Sequence, residues 1–229
     1  MAKRFALVGA LFLAVASFAF TGDIALFVNL GFSSDSKYFM FGQYGILEKN
    51  STPWADSYIV DVRANAYAPR GANQFSSAQP VEPGASAVGA LLNTLDDSAA
   101  QKKYRIDHLL TGRLLYVLID GQQAADTLEF RDFPSGRSYK VGLIQGTGTS
   151  GSYPSASFSL AITIVEKDGK TRTLTAGNSS YRRPGVKAYH IKQIIFAPDG
   201  SSLVFLIQKE EQDTNGSNIR YMVETVRVK

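Results

Sequence analysis

The stretch Gly31-Phe32-Ser33-Ser34-Asp35-Ser36-Lys37-Tyr38-Phe39-Met40-Phe41 reads as a strand, a tight turn and a second strand. Its layout returns near the other end of the chain in Ile195-Phe196-Ala197-Pro198-Asp199-Gly200-Ser201-Ser202-Leu203-Val204-Phe205. Phe32 matches Phe196, Asp35 matches Asp199 and Phe41 matches Phe205. A third apolar run follows each hairpin at one distance: Val62 lies 30 positions after Phe32, and Val226 lies 30 after Phe196. An aspartate in such a turn accepts hydrogen bonds from nearby backbone amides, which fixes the bend. The pattern predicts a three-strand unit used twice, at the start and the end of the chain. It also predicts that the two ends of the chain lie side by side.

Working outward, Ile24 to Phe32 is apolar at nearly every position, which predicts a strand buried on both faces. Lys37 to Gln43 is the second strand, Gly45 to Ala55 a polar connection holding Pro53 and Trp54, and Ser57 to Arg63 the third strand. Asn65 to Ala85 carries Pro69, Gly71, Pro80, Pro83 and Gly84, and these punctuate a long loop. Ser86 to Lys103 places Val88, Leu91, Leu92, Leu95 and Ala99 at helical spacing, with Ser86 as N-cap and Lys102-Lys103 at the C-terminus.

Strands resume at Arg113 to Ile119, Leu128 to Phe133 and Ser138 to Gln145. After the Gly/Ser-rich stretch Gly146 to Ser152, Phe158 to Glu166 and Lys170 to Thr175 form a hairpin around Asp168-Gly169. Asn178 to Gly185 reads as a loop, and Tyr189 to Lys229 as the closing unit, with a polar loop at Lys209 to Ser217. About eleven strands and one helix come from this reading. The fold class is mainly β: an irregular β-propeller-like or packed multi-sheet domain with one inserted helix at about 86–103.

The address is read from the N-terminus. Lys3 and Arg4 precede the apolar run Phe5 to Val15, and Ser17 and Ala19 set a small-x-small cleavage pattern. Residues 1–19 therefore read as a signal peptide cut after Ala19. Residues 20–229 read as a single β-rich domain, with a long loop and helix insertion at 65–104. No later stretch is apolar enough for a membrane-spanning helix. The chain has no cysteine, so neither a lipid-attachment cysteine nor a disulfide is available. An exported chain without disulfides fits a bacterial periplasmic or secreted protein. The net charge of +4 includes Lys3 and Arg4, and the nearly balanced remainder excludes a nucleic-acid-binding surface as the organising feature.

The hairpin form apolar–Phe–Ser/Ala–x–Asp–Gly/Ser, with its trailing Tyr58-Ile59-Val60-Asp61-Val62 or Tyr221-Met222-Val223, resembles the blade repeat of TolB-like β-propellers. That resemblance implies small sheets that bury their faces by stacking, with Leu128 to Ile144 and Phe158 to Thr175 as further blade hairpins. At ~40 residues per blade the length admits about five blades. The whole layout also resembles a family of predicted secreted bacterial proteins of unknown function. The residues that carry this are Phe27-Val28-Asn29-Leu30-Gly31-Phe32-Ser33, Phe41-Gly42-Gln43-Tyr44-Gly45 and Tyr58 to Val62. It implies an exported location and no particular chemistry.

Few residues invite catalysis. There is no Gly-x-Ser-x-Gly elbow, no thiol, and two histidines, His108 and His190. Asp107 and His108 are adjacent, and adjacent strand residues face opposite ways. Asp213-Thr214-Asn215-Gly216-Ser217-Asn218 has part of a calcium-loop spacing but lacks the closing glutamate, so it reads as a turn. Asp35 and Asp199 read as turn caps. Gly142 to Gly148 is glycine-rich without the Lys-Ser/Thr of a phosphate loop. Tyr181-Arg182-Arg183-Pro184 is a basic loop suited to an acidic partner. No catalytic, cofactor-binding or metal-binding residue is assigned. The sequence reads as an exported, non-catalytic binding or scaffold module of the periplasm or cell envelope. Its partner would be an envelope protein or glycan, met through residues 65–85 and the loops at blade ends. The alternative is a propeller-type envelope hydrolase or lyase.

Overall fold

The computed structural model describes residues 22–96, 99–214 and 216–229, and the predicted signal peptide lies outside them. Strands β1 (Leu26–Ser33), β2 (Tyr38–Leu47), β3 (Thr52–Asp61) and β4 (Ala66–Ser76) form an antiparallel meander. Helices α1 (Val88–Asp96) and α2 (Ala99–Tyr104) follow, and β5 (Ile106–Asp107) returns to pair with β1. After β6 (Arg113–Val117), a second meander comprises β7 (Thr127–Asp132), β8 (Arg137–Ser150), β9 (Tyr153–Val165) and β10 (Thr171–Pro184). The third comprises β11 (Val186–Phe196), β12 (Ser202–Asp213) and β13 (Gly216–Arg227), with β6 added at the β11 edge. The sheet orders are β4-β3-β2-β1-β5, β10-β9-β8-β7 and β13-β12-β11-β6, and none closes into a barrel.

The third sheet lies between the other two. On one side, Ile195, Val204, Leu206 and Val223 meet Phe32, Phe39, Phe41 and Val60 of the first sheet. On the other, Ile194, Phe196, Leu203, Phe205 and Ile207 meet Val141, Leu143, Phe158, Leu160 and Ile162 of the second. Both faces of β12 are thus in the core, which is why Leu203-Val204-Phe205-Leu206-Ile207 is an unbroken apolar run and wholly buried. The remaining face of the first sheet, with Leu30, Met40 and Ile59, is covered by Ala90, Leu91 and Tyr104 of the helices. The layers run helices, first sheet, third sheet, second sheet. Each fully buried Phe or Leu contributes about 1.5–3 kcal/mol, so these facing sets dominate cohesion between layers.

The two opening hairpins have matching details. Ser36 and Gly200 both have positive φ, and their amides donate to Ser33 O and Ala197 O, each at 2.8 Å. Asp35 Oδ1 accepts from the Lys37 amide and Asp199 Oδ1 from the Ser201 amide, as turn caps do. The turns also touch, since the Asp199 amide donates to Ser36 Oγ at 3.3 Å. Phe32 pairs with Phe39 in one, Phe196 with Leu203 in the other. The third strands differ in register. Phe39 faces Val60, whereas Leu203 faces Val226, so Val226 takes the place of Val60 rather than of Val62. A shift of two residues keeps the same face inward.

Several sequence expectations are corrected. β1 is fully buried only from Leu30 onward: Leu26 is exposed, and Phe27 and Val28 are half-buried against the third sheet and the helices. Most of Gly45 to Ala55 is strand: β2 continues to Leu47 and β3 starts at Thr52. The long loop is shorter than its prolines suggest, because β4 occupies Ala66–Ser76. It is an edge strand that arches away from β3 between Ala72 and Tyr67, and Pro69 sits in that arch, where no ladder donor is needed. Gly146 to Ser150 belongs to β8, and Asn178 to Pro184 to β10, which arches in the same way between Asn178 and Arg183. β12 runs on to Asp213 through the expected polar loop.

The helical segment comes in two pieces, and α1 is rotated relative to its apolar stripe. Ala90, Leu91 and Thr94 are buried, while Val88 and Leu92 are exposed. Ser86 Oγ accepts from the Val88 amide, as expected of an N-cap. Among the described residues there are thirteen strands in three sheets, rather than eleven strands in about five blades. Among the described residues the two ends are not neighbours. Gly22 packs against Ser217 at the start of β13, while Lys229 Nζ donates to Asp199 O beyond its far end.

Candidate functional site

One edge of each sheet meets the others in a cleft of about 280 Å³. It is lined by Val60, Asn65, Ala66 and Tyr67 of the first sheet, Lys209, Met222, Val223 and Glu224 of the third, and Arg183 of the second. The geometry starts at the β3–β4 turn. Asp61 Oδ1 accepts from the amides of Arg63 and Ala64, and Asn65 adopts φ +50, a conformation asparagine tolerates better than most residues. The Asn65 side chain then reaches the third sheet. Its Oδ1 accepts from the Thr225 amide at 2.8 Å, and its Nδ2 donates to Glu224 Oε2. Thr225 Oγ1 donates to Val62 O at 2.7 Å. These bonds fasten the two sheets and hold the Glu224 carboxylate on the cleft wall.

Tyr67 stacks on Tyr58 with ring centres 5.0 Å apart, and Tyr58 lies 5.1 Å from Phe41. Loss of solvent raises the Tyr67 hydroxyl pKa; Arg183 opposes the shift, while Asp56 and Glu224 add to it. Burial, then Asp56, raises that of Tyr58 further. Arg183 lies over the Tyr181 ring at 4.9 Å and donates to Tyr189 Oη at 3.3 Å. Lys209 pairs with Glu211. The cleft therefore offers the Glu224 carboxylate and the Lys209 ammonium on the third-sheet wall, Arg183 on the second-sheet wall, and the half-exposed Tyr67 ring with Met222 between them. Such a set has the chemistry to meet a ligand carrying both charges or a polar–aromatic segment.

A larger concavity of about 500 Å³ lies where Gly22 and Asp23 meet β13. There Arg220 Nη2 contacts Asp23 Oδ2 at 3.3 Å, and its guanidinium covers the Trp54 ring at 4.2 Å. Its main charges already hold one another, so it is a packed seam.

His108 and Asp107 do not form a dyad. His108 Nδ1 faces Leu30 O at 2.6 Å, and Asp107 Oδ1 accepts from the Leu109 amide. His190 is a β11 residue paired with Glu210 on β12 at 3.0 Å. Asn218 donates to Asp213 across the start of the β12–β13 hairpin, and Asn215 lies outside the described residues. Gly142 to Gly148 is strand β8. Of Tyr181 to Pro184, only Arg183 reaches the cleft. Asn65 and Tyr67 fall within residues 65–85, the expected contact region, whereas Lys209, Met222 and Glu224 carry no functional signal in the sequence. The Asp61-to-Asn65 spacing of turn residues was the one local signal available.

The family described as "Predicted secreted protein (DUF2259)" matches residues 40–227, a span that contains the whole cleft. The chain belongs to this family. None of the curated proteins and none of the solved structures matches it. The DUF2259 description supplies the address, a predicted secreted protein, and no chemistry. Among the described residues no helix is long and apolar enough to cross a membrane.

Proposed function

We propose that this protein is exported through a signal peptide at residues 1–19 and serves the bacterial periplasm or cell envelope as a non-catalytic binding module. In this reading the two three-strand units are copies of one blade-like repeat, stacked in an open propeller-like series. The matching turns at Asp35 and Asp199 support this, as does the similar order of faces in the first and third sheets. The partner is an envelope protein that inserts a short polar–aromatic segment into the three-sheet cleft. The observation that carries this is the convergence of Glu224, Lys209, Arg183 and Tyr67, from three separate sheets, on one concavity.

The test uses residues 20–229, immobilised and challenged with an envelope extract, beside the variants Tyr67→Ala and Arg183→Ala. A protein retained by the parent and lost from both variants supports the cleft. Equal retention by all three removes the cleft from the reading. Export is tested separately: recovery of the chain from the cytosol with residues 1–19 intact overturns it.

A further inference from the structure

The outer face of the second sheet, away from the third, carries a second constellation. Gly146 and Gly148 alternate along β8 and so share that face, opposite Ser157 and Ser155 of β9. Neither glycine has a positive φ, so neither is needed for backbone freedom. What they leave room for is Arg182. A Cβ at Gly148 would lie 2.5 Å from Arg182 Nη1, and one at Gly146 would lie 3.6 Å from Nη2 and 3.0 Å from Ser157 Oγ. β10 arches away between Asn178 and Arg183, and Arg182 folds back from that arch across the glycines. Arg183, the next residue, turns to the opposite face and the cleft.

Ser155 and Ser157 are 3% and 2% exposed. Among the described residues neither hydroxyl has a hydrogen-bond partner, and no carboxylate pairs with Arg182. Ser157 Oγ lies beside Gly146 and Ser155 Oγ beside Gly148, where the Arg182 guanidinium crosses the two glycines. Guanidinium N–H groups and two hydroxyls form a donor set for an oxyanion. Tyr153 is on the same face and partly exposed, two residues from Ser155, or about 7 Å along the strand. That spacing is roughly one sugar ring.

We propose that this ledge binds an anionic saccharide, its oxyanion held by Arg182, Ser155 and Ser157 and its ring set against Tyr153. The site is independent of the three-sheet cleft and uses none of its side chains.

Calorimetric titration of residues 20–229 tests this with three probes: an acidic oligogalacturonide, a neutral oligosaccharide of equal length, and inorganic phosphate. The acidic oligomer should bind best. Arg182→Ala should weaken it about ten-fold or more, as expected for loss of a charge-assisted pair. Gly148→Ala, whose Cβ displaces the guanidinium, should weaken it too, with unchanged melting temperature as the folding control. Tyr153→Ala should weaken the oligosaccharide and spare phosphate. Leu109→Ala, an exposed residue outside both the ledge and the cleft, should leave the affinity unchanged. Absence of binding by the folded parent, equal binding by Arg182→Ala, or equal affinity for the neutral oligomer each overturns the site. Phosphate binding as tightly as the acidic oligomer overturns the saccharide part.

Discussion

At the scale of residues, the contacts that matter most join different sheets. Arg113 on β6 holds Asp132 on β7 through both guanidinium nitrogens, and Ser135 Oγ donates to the same carboxylate. The Asp132 side chain is buried, and Arg113 also covers the Phe196 ring at 5.2 Å. Arg113, aided by Ser135 and opposed by burial, holds the Asp132 carboxyl below its usual pKa. A carboxylate depressed in the folded state stabilises above its unfolded pKa, and the contribution is lost as pH falls through the lower folded value. Asp132→Asn should therefore lower stability at pH 7 by about 2 kcal/mol, and the deficit should shrink once pH drops below the ordinary carboxylate range. Urea denaturation of parent and variant at pH 7 and pH 3 checks it; an unchanged deficit at pH 3 would remove the electrostatic account. Asp35 differs. Lys37, then Ser33, lowers its pKa to about 2, yet both partners of its ion pair are more than half exposed, so solvent screens the gain. The turn role of Asp35 was legible because the groups that donate to its carboxylate, Ser33 Oγ and the Lys37 amide, lie two residues away. Glu224 was not, because its partner Asn65 is 159 positions distant.

At the scale of elements, two of the segments expected to be loops are edge strands. β4 and β10 each carry an arch that leaves the ladder for four residues, and loop-forming residues gather there: Pro69 and Gly71 in one, Ser179 and Ser180 in the other. Local composition reports the arch and hides the strand around it. The helices show the converse. Their periodicity was visible, but which face packs is decided by the sheet beneath. Gly42 of β2 makes room for Leu91, since a Cβ there would lie 2.5 Å from Leu91 Cδ1. Leu91→Ala should cost about 3 kcal/mol through the cavity it leaves. Its first sign should be loss of hydrogen-exchange protection in α1 and α2 while β12 stays protected. Adding Gly42→Ala, whose methyl enters the vacated space, should return part of the loss, so the double variant should be more stable than the sum of the singles. Simple additivity would mean that Leu91 and Gly42 do not share that space.

At the scale of the whole molecule, the order of layers follows from which strand is apolar on both faces. Leu203 to Ile207 announces a central strand, but nothing in that run says which sheet lies on which side. That depends on contacts of β12 with β1 to β4, more than a hundred positions away, and with the nearer strands β7 to β10. Phe205 faces the second sheet and Val204 the first, so a change at Phe205 acts on the side away from Trp54, the only tryptophan. Trp54 packs in the core between the first and third sheets and thus reports on that interface. Phe205→Ala should cost about 3–5 kcal/mol. If the layers fold as one unit, Trp54 fluorescence and far-ultraviolet circular dichroism should shift together in denaturant and share a midpoint. The shared central sheet argues for this, because removing a residue from one of its faces weakens the strand that supports the other. A Trp54 transition that keeps the parent midpoint while the dichroism moves would show that the second sheet unfolds independently of the other two.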